Sequence, residues 1–208
     1  SVSHSGKWHL GGMRNDDYDL RTLPIKPEGT PGGRRCPHPG PNQQGFKSYV
    51  SVLDGPGSPR QNRLQLNNQL YSQGCTALLH NDVDIGGGQS NITGYLSFCE
   101  AQHAILAMNR SVARGKPFYV QLWFHAPHSP LEEIPGWHIK LNGPNATRNL
   151  DNNDKFRTMV ADMDHQIGLI LDNLKYLGIE KNTLVVFTSD NGPEPFAGSR
   201  AGLKGAKR

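Results

Sequence analysis

The chain reads as an α/β protein, and three stretches carry that reading. Residues 118–124, FYVQLWF, are a dense aromatic and aliphatic run, closed by Ala126 and Pro127. Residues 184–189 do the same: Leu184, Val185, Val186 and Phe187 lead through Thr188 and Ser189 into Asp190, Asn191, Gly192 and Pro193. Compact apolar runs stopped by turn formers predict buried strands. Between them, Phe156, Met159, Val160, Met163, Ile167, Ile170, Leu171, Leu174 and Leu177 fall at helical spacing. Asp151, Asn152 or Asn153 can cap the start of a helix over residues 154–178, and Gly178 can end it. A strand–helix–strand unit of this kind joins parallel strands by a right-handed crossover. Both carboxyl ends then lie on one edge of the sheet, where open α/β sheets bind ligands. His128 and the pair Asp190–Asn191 are expected to be neighbours there.

Composition narrows the partners. The 208 residues suffice for one domain with a core, and 24 Gly and 15 Pro predict long loops around few regular elements. The net charge is +4 and the pI about 9.0, a balance that fits an anionic substrate. The basic residues are scattered, apart from Arg34–Arg35 and Lys204, Lys207 and Arg208. Without a basic stripe interleaved with aromatics, nucleic acid is excluded as a partner. No apolar run reaches the ~18 residues of a membrane span. Cys36, Cys75 and Cys99 are odd in number and unclustered, which gives neither a zinc site nor a disulfide framework. The sequons at Asn91, Asn109 and Asn145 are candidate N-glycosylation sites and indicate a secretory route. With no initial Met and a loop-like run at Arg208, both ends read as cut.

In chain order, SVSHSGKWHLGG sets Lys7, Trp8 and His9 between Gly6 and the pair Gly11–Gly12. Glycine on both sides lets the backbone turn sharply and approach a ligand. Lys7 offers a cation there, and His9 carries a proton near neutral pH. A surface turn is the plainer reading. Residues 13–63 are rich in Pro, Gly and charge and read as mostly loop; Asp16–Asp17 is a solvated acidic pair, and Gln44–Gly45–Phe46 anchors one turn. Residues 64–90 hold short strand-like pieces and the turn Gly86–Gly87–Gly88, which lacks the Lys-Ser/Thr of a P-loop. Residues 95–114 have helical spacing, ended by Gly115. His125 and His128 follow the 118–124 run with Pro127 between them, so they do not share a helix as a zincin pair would. Asp190 and Asn191 are a carboxylate and an amide carbonyl, hard oxygens suited to Ca²⁺ or Mg²⁺, although Asn-Gly by itself only turns a chain.

At this point the chain resembles the type I sulfatases of the alkaline phosphatase superfamily. GKWHLG at residues 6–11 is similar to the family's second signature, and PFYVQLWFHAPHSPL at 117–131 to its strand and histidine loop. Residues 159–194 are similar to its late helix and metal-binding strand, and GLKGAKR at 202–208 to the start of its basic loop. Gln44–Gly45–Phe46 also fits. The motifs keep the family's order and spacing, over 1–12 and 116–208.

The resemblance implies an alkaline-phosphatase-like mixed, mostly parallel sheet flanked by helices, incomplete at both ends. Residues 1–208 would be part of a catalytic domain, lacking the formylglycine segment and the C-terminal subdomain. It implies hydrolysis of a sulfate ester by a metal-bound formylglycine diol. Asp190 and Asn191 match two ligands of the cation, usually Ca²⁺, with Mg²⁺ as the alternative. Lys7 matches a lysine on the diol and sulfate, and His9 the histidine that takes a proton as the sulfated intermediate breaks down. His128 and Lys207 match the pair that holds the sulfate and protonates the leaving oxygen. The substrate would be a sulfated small molecule or sulfated glycan, the location the secretory pathway, lysosomal or extracellular. The chain has no Cys-x-Pro-x-Arg motif: Cys36, Cys75 and Cys99 are followed by Pro37, Thr76 and Glu100. The formylglycine would come from a cysteine outside this chain, made by a formylglycine-generating enzyme, and residues 1–208 alone are expected to be inactive. The alternatives are a non-catalytic sulfoglycan-binding relative and a phosphatase or phosphodiesterase of the same superfamily.

Overall fold

The computed structural model describes residues 1–7, 13–14, 38–39, 41, 44–52, 78–80, 83–84, 95–129, 131–144 and 150–206. His9, Lys207, Asn91, Asn145, Cys36, Cys75, Asp16–Asp17 and the triple glycine lie outside them. The chain divides into two compact units, Ser1–His125 and Ala126–Arg208.

The first unit is a sheet with a helix laid on it. Strand β1, Val2–Lys7, lies between β4, Ser48–Val52, and β7, Tyr119–Trp123, and pairs with both in parallel. Beyond β4 the short strands β5, Leu78–His80, and β6, Val83–Asp84, continue the sheet antiparallel, giving the order β6-β5-β4-β1-β7. Two further pieces, β2 (Met13–Arg14) and β3 (His38–Pro39), pair with each other. Helix α1, Leu96–Ala113, packs on β1, β4 and β7. It ends where expected: Gly115, at φ 60, donates its N–H to the Val112 carbonyl. Ala101, Ala104 and Ala107 are buried on its inner face, and residues this small let the helix lie close to the sheet.

The centre of this sheet shows two strands that the sequence did not reveal: β1 runs up to Lys7, where a turn was expected to begin, and β4 lies within residues 13–63, read as mostly loop. The run Val-Ser-His-Ser-Gly-Lys has no apolar signal, yet Ser3, His4 and Ser5 are all buried. Ladders on both edges pair their main chain, and Ser5 Oγ donates to the Glu100 carbonyl of α1 at 2.6 Å. The 118–124 run is a strand as expected, but not a buried one. Among the described residues β7 ends the ladder, and Tyr119 and Trp123 are substantially exposed.

The second unit is built on α3, Asn152–Tyr176, where the sequence placed a helix. Asp151 is its N-cap, accepting from the Asp154 N–H at 2.8 Å, and Gly178 takes φ 69 after its end. Of the expected apolar face only Met159 and Leu174 are buried; the other buried positions are Thr158, Asp162 and Gln166. A short helix that the sequence did not reveal, α2 (Pro135–Asn142), explains this. It and the segment before it lie along α3: the Ile134 N–H donates to Thr158 Oγ1 at 3.1 Å and Trp137 Nε1 to Asp162 Oδ1 at 3.2 Å. Pro135 and Gly136 at its start hid it from a periodicity reading.

Residues 184–189 are not a strand. They run without a ladder among the described residues, and Leu184, Val185, Val186 and Phe187 are 89%, 55%, 77% and 76% exposed. The strand–helix–strand crossover is therefore not formed. β-propensity supplies no hydrogen-bond partner of its own; without a neighbouring strand, an apolar run stays extended.

Candidate active site

The expected site residues fall in both units. In the first, the parallel register Gly6↔Trp123 brings the carboxyl ends of β1 and β7 to one edge. Lys7, half-buried, is the last residue of β1. Gly6 makes that close approach. Its φ is +101, and a Cβ there would lie 1.9 Å from the Trp123 carbonyl oxygen. Only glycine fits, which gives the first residue of GKWHLG a physical role.

Behind this edge lies a buried polar cluster. His4 is fully buried between Phe46, at 5.4 Å between ring centroids, and Trp123, edge-on at 5.3 Å. Burial lowers its pKa from 6.5 to about 4, against hydrogen bonds with the Gly6 backbone and Gln121 that favour the charged form. Glu100 of α1 is also fully buried. Its Oε1 lies 2.7 Å from His125 Nδ1, and the His125 N–H reaches its Oε2 at 3.4 Å. Burial raises the Glu100 pKa above the ordinary carboxylate value, with His125 opposing. This pair holds His125 inside the first unit. The sequence reading missed Glu100; a charged residue on the inward face of an otherwise apolar helix was the available signal. Cys99 is a free thiol whose pKa burial pushes up to about 12, with Glu100 adding to the shift. Such a thiol is a poor nucleophile.

In the second unit three of the family-like segments meet. Glu194 Oε1 accepts from both the N–H and the Oγ–H of Ser129, each at 3.1 Å. This ties the loop of His128 to the loop of Asp190 and Asn191. The half-buried His128 donates from Nδ1 to the Ser129 carbonyl. Asp190 and Asn191 are exposed at a bend. There Ser189 Oγ donates to the Asn191 carbonyl at 2.7 Å and Asn191 Nδ2 to the Gly192 carbonyl at 2.8 Å. At Gly192 a Cβ would meet the Ala206 Cα at 2.9 Å and its N at 3.1 Å, so residues 205–206 of the basic loop pass against DNG. Ala206 immediately precedes Lys207.

These groups suit part of a hard-cation site. With Asn191 Nδ2 turned to the Gly192 carbonyl, its Oδ1 and the Asp190 carboxylate are the ligand-type atoms. Among the described residues no group of three or more His, Cys, Asp and Glu side chains could hold a metal. Asn109, the one sequon asparagine described, sits half-buried on α1 with its Oδ1 buried. No helix among the described residues is long and apolar enough to cross a membrane.

The first unit thus carries motif residues at the carboxyl edge of an α/β sheet, and the second holds a cluster of motif loops. A family model described as sulfatase matches residues 3–208, and the chain belongs to the sulfatase family. Arylsulfatase J of Mus musculus is 26% identical over 205 residues, covering 97% of this chain and 29% of that protein. N-acetylgalactosamine-6-sulfatase of Rattus norvegicus is 24% identical over 198 residues, 90% of this chain and 29% of that one. The chain thus spans 29% of the length of each of these curated relatives. The crystal structure of Ps i-CgsB in complex with k-i-k-neocarrahexaose matches with a TM-score of 0.64 at 24% identity, over 93% of this chain and 38% of that one. That likeness is one of fold, the α/β alkaline-phosphatase-like fold of sulfatases.

Proposed function

We propose that this chain supplies the leaving-group side and part of the metal-ligand set of a sulfatase active site. The protein that contains it hydrolyses a sulfate ester, of a sulfated small molecule or a sulfated glycan. The observation that carries the proposal is the meeting of the His128, Asp190–Asn191 and 205–206 segments in one unit, through Glu194–Ser129 and Gly192. The name of the rat relative, an N-acetylgalactosamine-6-sulfatase, favours a sulfated sugar.

Asp190 Oδ and Asn191 Oδ1 would hold Ca²⁺, or Mg²⁺ in its place. The bound ion supplies Lewis-acid polarisation of the sulfate oxygens, and formylglycine, from a cysteine outside this chain, supplies the attacking oxygen. The chain's own residues do the rest. The Lys7 and Lys207 ammonium groups neutralise charge on the sulfate, as cations placed where charge develops should. His128, with Nδ1 engaged by the Ser129 carbonyl, holds on Nε2 the proton that the ester oxygen takes as the S–O bond breaks. His9 accepts a proton in the breakdown step. Secretory passage to a lysosome or to the outside accords with the sequons at Asn91, Asn109 and Asn145.

The test is turnover of an aryl sulfate by the full-length protein carrying formylglycine, with calcium binding measured calorimetrically. His128→Ala should lower kcat about a hundredfold or more. Asp190→Asn should weaken calcium binding before any assay of turnover. Full activity in the first variant and unchanged binding in the second would refute the reading. Residues 1–208 alone should give no turnover.

A further inference from the structure

We infer that Glu194 is a positioning residue for His128. The inference rests on the reading above, in which His128 protonates the leaving oxygen. Glu194 Oε1 receives two donors from one residue, the N–H and the hydroxyl of Ser129, both at 3.1 Å and 65 positions away in sequence. The carbonyl of the same Ser129 accepts from His128 Nδ1. Ser129 is thus held at its N–H and side chain by a carboxylate, and its carbonyl in turn holds the imidazole. A carbonyl oxygen can only accept, so Nδ1 carries a proton and exchange with substrate falls to Nε2.

The carboxylate itself is anchored. Pro193 stiffens the main chain before it. Downstream, Gly198 donates its N–H to Asn153 Oδ1 at 3.2 Å, and a Cβ at Gly198 would lie 3.1 Å from both the Phe156 ring and Pro193. The loop that carries Glu194, and with it Asp190 and Asn191, is thus tied at Gly198 to the N-terminal turn of α3. A group in this position touches no reacting atom. It fixes the ring's tautomer and aim, and misplacing a catalytic group by about 1 Å can cost a hundredfold in rate.

The experiment compares Glu194→Ala, Glu194→Gln and Ser129→Ala with wild type and His128→Ala in the full-length protein. Two sulfate esters are used: 4-nitrophenyl sulfate, whose leaving group needs no proton, and an alkyl or sugar sulfate, whose leaving group does. Glu194→Ala should cost about tenfold to a hundredfold in kcat on the poor leaving group, little on the nitrophenyl ester, and leave KM in place. Glu194→Gln keeps an acceptor oxygen and should recover part of the loss. Ser129→Ala removes one of the two donors and should show a smaller defect of the same pattern. Histidine ¹⁵N spectra supply a readout without turnover: after the Nε2 proton has been titrated away, the neutral His128 ring should be the Nδ1–H tautomer in wild type and a mixture in Glu194→Ala.

Equal losses on both esters, with the tautomer unmoved, would reduce Glu194 to a structural contact and overturn the inference. If His128→Ala shows the leaving-group pattern and Glu194→Ala does not, the inference fails while the assignment of His128 stands. If wild type cleaves neither ester, the functional reading fails, and the tautomer measurement alone decides whether Glu194 sets the ring. Should Glu194→Ala not fold, Ser129→Ala and Glu194→Gln carry the same comparison.

Discussion

Gly6→Ala is the sharpest test of how the sheet edge is built. The added Cβ would sit 1.9 Å from the Trp123 carbonyl oxygen and 2.6 Å from its carbon, on the strand paired in register with Gly6. To open that gap even to a very tight 3.0 Å, β7 must retreat by roughly 1 Å in a ladder whose strands lie about 4.8 Å apart. The local β1–β7 hydrogen bonding is then lost, at about 1–3 kcal/mol for a buried group left unpaired. Alanine at φ +101 adds about 1–3 kcal/mol of backbone strain. The combined loss is about 2–6 kcal/mol, a large part of the ~5–15 kcal/mol typical of a folded protein. At roughly 2–4 °C per kcal/mol for a domain of this size, Tm should fall by about 4–24 °C. Calorimetry of the variant beside wild type, at one pH, measures it. A fall of under about 2 °C would mean that β1 and β7 do not approach in this way. The conformation assigned to GKWHLG would then be wrong.

Three further outcomes are expected. Unfolded His4 takes up a proton as pH falls through 6.5, whereas the folded side chain resists until about 4. Stability should therefore drop across that window by something on the order of 3 kcal/mol and level off below it, and His4→Gln should flatten this slope in denaturant midpoints measured from pH 7 to 4. Gly192→Ala should push residues 205–206 off the DNG loop; because both segments are largely exposed, stability should change by less than about 1 kcal/mol while kcat falls about tenfold or more. Asp151→Ala removes the α3 cap and should cost about 1 kcal/mol, read as a lower Tm with kcat unchanged.

What was legible in the sequence depended on where the stabilising partner lies. The helices over 95–114 and 152–176 were visible because their punctuation is local: Gly115, Gly178 and the Asp151 cap act within a few residues of the ends they set. The central strand was invisible because Ser3, His4 and Ser5 owe their burial to strands and a helix far away in sequence. Residues 184–189 show the opposite error. Their composition asks for a strand, but composition cannot supply a ladder. Helix α2 hid behind Pro135–Gly136, and the contacts it and its lead-in make with Thr158 and Asp162 explain why the inward face of α3 is more polar than its periodicity indicated. The site's segments were legible as motifs, and the structure gives several of their glycines a steric reason. Of the residues that support those segments, Glu100 left only a charge on the inward face of a helix, and Glu194, in a loop, left no periodic trace at all.

Those two carboxylates share a logic. In each unit a glutamate from elsewhere in the chain grips a short segment that carries a histidine. Glu100 of α1 takes the ring and N–H of His125, and Glu194 takes the N–H and hydroxyl of Ser129. Neither grip uses apolar burial, which in so short a polar loop would be too small to fix a side chain. Each uses two donors on one carboxylate, which sets an orientation as well as a distance. Only one of the two is dry. Glu100 lies wholly inside the first unit, where losing its partner would strand a buried polar group, so removing it should damage the fold. Glu194 is half-buried beside the exposed Asp190–Asn191 bend, so its loss leaves a group that water can satisfy. That difference in solvation is why Glu194 can be removed from the His128 loop without taking its unit's fold with it, whereas Glu100 cannot be removed from His125.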